Sequence, residues 1–308
     1  MPLKGVLFSR QELNIARPQD PERFVMEDAL TELLDTLPHY GAQAIQLDAF
    51  CPSSPQELSC LLSLHHIPQQ EALLVAATDR SLALADGLAI ATLGYRNPFL
   101  PPQSLRQPEI VVEGFEEVDF HFLEQTLQRR HNIPWTVLET RRCILREMEL
   151  EDLDALYRLY QGASAARFLE PLYEREKEEE YTRAYITNMY RFYGYGMWVA
   201  IEKSSGEIIG RAGIQNQTLN GEAILELGYL VGEPYQNQGY ATELCQAILE
   251  FAREKTGFSE ISCLIAKENV ISVHLALKLG FTWQEEVEIK GKTLQRYKKT
   301  LQFQKNVL

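Results

Sequence analysis

The stretch PYQNQGYATEL, residues 234–244, follows the apolar run LELGYLV and precedes a long helical pattern. It fixes a strand end, a tight loop and a helix start in one phrase, and so constrains the fold around it more than any other segment. Gln236-Asn237-Gln238-Gly239-Tyr240-Ala241 reads Q-x-x-G-x-A. N–H groups at a helix start have no intrahelical partner, and the helix dipole draws anions to that end. Gly239 lets the backbone approach an anion closely, and Ala241 keeps the first turn free of bulk. A G-x-x-x-x-G-K-[ST] loop would carry a lysine and a metal-binding hydroxyl, and this one carries neither. It suits a pyrophosphate that is held but not cleaved.

With 308 residues, 45% hydrophobic and 24% charged, the chain has the length of two domains and an ordinary globular composition. No run approaches 18 apolar residues, so no membrane span is expected, and MPLKGVLFSRQEL is too short in its apolar part for a signal peptide. Five scattered cysteines without a C-x-x-C pattern indicate reduced thiols and a cytoplasmic setting. Cys51, Cys60, His65 and His66 match no zinc-ligand spacing, and no metal is expected. The net charge of −13 divides into −10 over residues 1–140 and −3 over 141–308. So acidic a first part repels a phosphate backbone, which excludes nucleic acid as its expected partner. HNIPWTVLETRR, 131–142, reads as the seam between a first domain, 1–134, and a second, 135–308.

Continuously apolar strands alternate with helices through the first domain, from KGVLFS (4–9) and the helix 21–37 to EIVVEG (109–114) and the helix 115–131. That alternation predicts a Rossmann-like parallel sheet covered on both faces. The order and phrases resemble a haloacid-dehalogenase-like (HAD) phosphatase fold without a cap. GVLFSRQEL stands where that family has a strand ending in D-x-D, and IPQQEALLVAATD where it has a strand ending in G-D. The family's nucleophilic aspartate falls on Ser9, its second aspartate on Gln11, and the companion of Asp79 on Ala83. Ser9 cannot form an aspartyl-phosphate, and one carboxylate does not hold a magnesium-assisted site. The expected module is a degenerate, non-catalytic HAD-like one. An independently arisen Rossmann-like domain is the alternative.

In the second domain the pattern is strand RCILREME (142–149), helix 150–162, a helical run to about 192, three antiparallel strands, helix 240–256, strand 260–266, helix 268–280 and two closing strands. The hairpin with IIGRAGI, then LELGYLVGEPYQNQGYATEL, LIAKENVISVHLALKLGF and the final strands together resemble the GCN5-related N-acetyltransferase (GNAT) family over about residues 140–301. The likeness is greatest to its branch that acetylates ribosomal-protein N-termini. The resemblance implies an α+β fold with a splayed, mostly antiparallel sheet, and acetyl-CoA as co-substrate. The main chain of Tyr229, Leu230 and Val231 would pair with the pantetheine arm and supply an oxyanion donor. Gln236, Asn237, Gln238, Gly239, Tyr240, Ala241 and Thr242 would cradle the pyrophosphate, and Asn269 would touch the pantetheine.

An ammonium must lose a proton before it attacks a thioester. Glu226, in LELGYLV, matches a glutamate the family uses here and reads as general base; otherwise it is an exposed strand carboxylate. Many relatives carry a tyrosine where this chain has Ala276, so the thiolate's proton must come from Ser272, His274, Tyr297 or water. Ser272 also reads as part of the next helix's cap, His274 as a surface residue, and Tyr297 as a packed aromatic. The acidic run EREKEEEY, 174–181, is either an attractor of cationic amines or a solvated helix face. The expected reaction is direct acetyl transfer to a primary amine, on a small molecule or a protein N-terminus. A CoA-responsive regulatory protein without turnover is the alternative, and the oligomeric state is open.

Overall fold

The computed structural model describes residues 2–13, 21–50, 52–190, 193–219 and 221–301; Cys51 lies outside the described residues. The chain divides into two compact units, Met1–Ile133 and Pro134–Leu308.

In the first unit, β1 (Gly5–Phe8), β2 (Gln43–Gln46), β3 (Ala72–Ala76), β4 (Ala91–Tyr95) and β5 (Ile110–Val112) form one parallel sheet in the order β2-β1-β3-β4-β5. β1, β3 and β4 are buried along their whole length, the burial expected of central strands covered on both faces. Helices α1 (Pro21–Thr36), α2 (Pro55–Leu64) and α3 (Phe120–Arg130) belong to this unit. Two cores flank the sheet: Leu33, Leu73, Val75, Leu123 and Leu127 pack in one, and Leu7, Leu58, Leu62 and Leu74 in the other. The helix expected over 115–131 starts late, at Phe120, because Asp119 caps it by accepting the Phe122 N–H at 2.7 Å.

The second unit holds an eight-stranded sheet, ordered β12-β13-β11-β10-β9-β8-β7-β6. Its strands are β6 (Thr136–Glu139), β7 (Cys143–Arg146), β8 (Met197–Glu202), β9 (Ile208–Leu219), β10 (Glu222–Val231), β11 (Glu260–Ile265), β12 (Thr282–Ile289) and β13 (Lys292–Thr300). All neighbours are antiparallel except β10 and β11, which run parallel. Helices α4 (Leu153–Tyr160), α5 (Arg175–Tyr185), α6 (Tyr240–Lys255) and α7 (Val270–Lys278) belong to this unit, with a short helix Ala163–Phe168 between α4 and α5. α6 buries Leu244, Cys245, Ile248, Leu249 and Ala252, the stripe of a 3.6-residue period, on a core with Trp198, Ala212 and Ile261.

Several boundaries differ from those the sequence suggests. β7 stops at Arg146 because Glu149 and Asp152 form a capping box that turns the chain into a helix, and that helix ends at Tyr160. α5 ends at Tyr185 and widens into a π turn over Ile186–Tyr190. The seam segment itself supplies β6, an edge strand whose Val137 and Leu138 pack on the core of this unit. Cys60, Cys143, Cys245 and Cys263 are free thiols. Among the described residues, no helix is long and apolar enough to cross a membrane.

Candidate active site

β10 and β11 share a single paired register, Glu226 with Ser262. On its other side β10 stays zipped to β9 from Glu222 to Val231. From Leu227 onward, therefore, the edge of β10 that faces β11 carries unpaired main chain, the arrangement that accepts an added extended strand. Above this gap the chain leaves Val231 and makes the Gln236–Gly239 loop before α6.

Two residues of that loop have left-handed backbone, Asn237 at φ 57° and Gly239 at φ 82°. Alternation of left- and right-handed residues turns successive N–H groups inward and forms an anion-binding concavity. The first intrahelical bond of α6 is Glu243 N–H to Gly239 O at 3.1 Å, so the amides of Tyr240, Ala241 and Thr242 have no partner within the helix. Gln236 donates from Nε2 to Val231 O at 2.9 Å and Gln238 from Nε2 to Pro234 O at 2.7 Å, which ties the loop to the strand it leaves. A groove of about 340 Å3 runs along this surface, lined by Tyr229, Leu230, Val231, Gln236, Asn237, Gly239, Tyr240, Ala241, Thr242, Asn269 and Ser272. Apart from Glu226, Gln238 and Tyr297, every binding or catalytic residue proposed from the sequence borders it. Gln238 reaches the loop through its main chain.

Arg142, 101 residues away in sequence, completes this corner. Its Nε donates to Glu243 at 2.7 Å, its Nη1 to Gln238 O at 2.9 Å, and its guanidinium stacks 3.9 Å over the Tyr240 ring. Nη2 would lie 3.6 Å from a Cβ built on Gly239. The loop without a lysine thus has a cation beside it. Nothing in the local sequence could have signalled this, because Arg142 precedes β7 and meets the loop only through the sheet. His274 and Lys278, on α7, border the same groove.

A second cavity, of about 320 Å3, shares Phe168, Leu169, Tyr229, Asn269, Ser272 and Leu275 with the groove and opens beside Glu226. Glu226 accepts a hydrogen bond from Gln215 Nε2 at 3.0 Å; burial raises its pKa, and that bond opposes the rise only in part. Asn269 caps α7 by accepting the Ser272 N–H at 3.2 Å. The Tyr229 hydroxyl donates to Ser272 Oγ at 2.9 Å, which leaves the serine's own hydrogen free to point elsewhere. Burial pushes the Tyr229 pKa up, so the phenol stays protonated. This hydroxyl pair was not legible in the sequence, where Tyr229 stood out for its main chain alone. Tyr297, by contrast, donates to Gln295 and lines neither cavity. The acidic run also lies off both cavities: Arg175 bridges Glu179 and Asp154, and Glu178 accepts the Tyr173 N–H. Glu178 is buried where it makes that bond, and the rest of the run is a solvated, ion-paired face. Among the described residues, no group of three or more His, Cys, Asp or Glu side chains is placed to hold a metal ion.

In the first unit, Ser9, Gln11 and Asp79 are each engaged with neighbouring groups of the chain. Asp48 accepts Ser9 Oγ at 2.8 Å and the amides of Arg10 and Gln11 at 2.7 and 3.1 Å. Partial burial raises the Asp48 pKa, but the bonds from Gln11, Ser9 and Arg10 outweigh it and hold the carboxyl below its usual range. Glu12 accepts the Ala77 amide at 2.6 Å and the Ser81 hydroxyl, and Asp79 accepts Ser104 Oγ at 2.8 Å and the Arg106 amide at 3.1 Å. The amides that end β1 and β3, where such sheets bind ligands, are thus met by the chain's own carboxylates.

The family model described as an acetyltransferase (GNAT) domain matches residues 142–282. The chain is 27% identical over 165 residues to YkkB of Bacillus subtilis, across 53% of this chain and 95% of that protein. It is 27% identical over 143 residues to the N-acetyltransferase YnaD of the same organism, across 46% of this chain and 81% of that protein. Among solved structures, an acetyltransferase from Agrobacterium tumefaciens is 25% identical with a TM-score of 0.45, covering 53% of this chain and 92% of that one. Residues 142–282 are similar to the GNAT acetyltransferase domain, and the enzyme class that this similarity and the named relatives support is that of the acetyl-CoA-dependent acetyltransferases.

Proposed function

We propose that the second unit transfers an acetyl group from acetyl-CoA to a primary amine by direct attack, with no covalent enzyme intermediate. The observation that carries this reading is the single Glu226–Ser262 register, which leaves β10 unpaired beneath a loop of inward-turned amides. When bound, acetyl-CoA supplies the activated acyl carbon. The Gln236–Thr242 loop, with Arg142 beside it, holds the diphosphate, and the main chain of Tyr229, Leu230 and Val231 pairs with the pantetheine arm. A main-chain N–H of that segment stabilises the charge that develops on the carbonyl oxygen. Glu226 takes the proton from the acceptor ammonium, directly or through water. Ser272, which receives the Tyr229 hydrogen bond, gives a proton to the departing sulfur.

The first unit we read as a degenerate HAD-like module that serves as scaffold or binding surface, with its boundary to the acetyltransferase unit near residues 134–135. The carboxylates of Glu12 and Asp48 on its strand-end amides support that reading. Free Cys60, Cys143, Cys245 and Cys263 fit a reducing, cytoplasmic setting.

The test is thiol release from acetyl-CoA over a panel of peptides, polyamines and amino sugars, beside calorimetric titration of CoA into the full chain. Turnover with at least one amine is expected. Tight CoA binding with no turnover on any acceptor would instead assign a regulatory, CoA-responsive role, and no heat of CoA binding would remove both readings.

A further inference from the structure

The cavity beside Glu226 has two dissimilar walls. Along β10 side chains alternate between faces, so Glu226 and Gly228 look one way while Leu227 and Tyr229 look the other. Glu226, Gln215 and Gln217 make one wall polar. The wall behind the parted strands is formed by Cys263 and Ile265 of β11 with Leu275, Ala276 and Leu279 at α7, all packed in the apolar core of the unit. No charged group belongs to this wall. Ala276 is 3% exposed and is the smallest of its side chains. The whole cavity measures about 320 Å3, within the range of sites that enclose small molecules. An acetyl group has one methyl to place against this wall.

We propose that the recess walled by Cys263, Ile265, Ala276 and Leu279 receives the acyl chain, and that the enzyme accepts propionyl and butyryl thioesters of CoA as well as acetyl. This rests on the reading of the gap between β10 and β11 as the seat of the thioester. The recess opens from that gap, and the Glu226–Ser262 pair closes the gap at its apex. The amine occupies the polar wall, so chain and acceptor do not compete for space. The reaction keeps its balance. The N–C bond forms as the C–S bond breaks, the electron pair leaves on sulfur, and the ammonium nitrogen gives up two protons, one released to solvent by way of Glu226 and one passed to the thiolate. The Cys263 thiol takes no part, since burial raises its pKa and keeps it protonated.

The experiment titrates the full chain calorimetrically with CoA, acetyl-, propionyl-, butyryl- and hexanoyl-CoA, without acceptor. Affinity is expected to rise about fourfold for each methylene added from acetyl to butyryl. Ala276→Leu, which fills the recess, should bring butyryl-CoA to within about twofold of acetyl-CoA while the affinity for free CoA stays unchanged. Leu279→Phe is a second filling variant should the first not fold, and the wild-type series is decisive by itself. A flat or falling wild-type series with CoA binding intact overturns the acyl-chain inference alone. A rising series that neither filling variant flattens overturns its location in this recess. No binding by any member removes the CoA site and this inference together.

Discussion

At Glu226 a carboxylate is held among apolar neighbours by one amide, Gln215, and burial raises its pKa. A base must be deprotonated to act, so kcat/KM should climb with pH through a limb displaced above the ordinary carboxylate range. Glu226→Gln should remove that limb and lower kcat by roughly 10²- to 10⁴-fold, measured with whichever amine the panel identifies. Stability supplies a readout independent of activity. A carboxyl with a raised folded pKa penalises the fold when ionised, and the penalty disappears as pH falls through that pKa. Glu226→Gln should therefore melt above wild type at pH 8, with the difference shrinking in acid. A melting difference that is the same at every pH would contradict the burial account. Arg142 makes a different prediction, because it acts on the loop rather than on the reacting atoms. Removing a charge-assisted bond costs about 1.5–3 kcal/mol. Arg142→Ala should thus weaken CoA binding at least about tenfold. Lysine should rescue little of this, since it lacks the fork that reaches Glu243 and Gln238 together. Wild-type affinity in Arg142→Ala would show the guanidinium to be irrelevant to the loop.

At the scale of elements, the helix start is decided by backbone conformation rather than by bulk. A Cβ on Gly239 would meet only Arg142 Nη2, at 3.6 Å, an ordinary contact, whereas its φ of 82° is the left-handed region. Alanine there costs about 1–2 kcal/mol, or the loop relaxes and its amides turn away. Gly257, after α6, has φ 69° with nothing near its Cβ position. Gly239→Ala and Gly257→Ala should therefore lose similar stability in urea, but only the first should lose CoA affinity. Equal CoA affinity in the two variants would mean that the loop conformation does not matter for binding. α7 was legible from its helical pattern closed by Gly280, although its cap is Asn269 rather than Ser272, and α6 because its apolar stripe keeps one period. The π turn after α5 and the early end of β7 were not legible. They depend on Tyr190 bonding to Met197 and Met148, and on Arg146 pairing with Asp152, contacts that pattern alone does not contain.

On the scale of the whole molecule, each unit owns its sheet and its cores. Residues 134–308 expressed alone should fold cooperatively and bind CoA within a few-fold of the full chain; an insoluble or CoA-blind fragment would show that the units depend on each other. The alternation of apolar strands and helices in the first unit, and the strand–loop–helix phrase in the second, were enough to specify a parallel sheet and a tight glycine loop at a helix start. Local spacing sets both, since periodicity and glycine conformation are properties of neighbouring residues. The loop pattern named Gly239, and the resemblance to the acetyltransferase family named Glu226 and Asn269. Only the folded chain decided that Arg142 stands by Gln238, that Tyr229 donates to Ser272, and that β10 and β11 meet at one register. These are contacts between residues 36 to 96 positions apart in the sequence. They form when packing closes the sheet and α7 settles against it, so no local pattern in the chain encodes them.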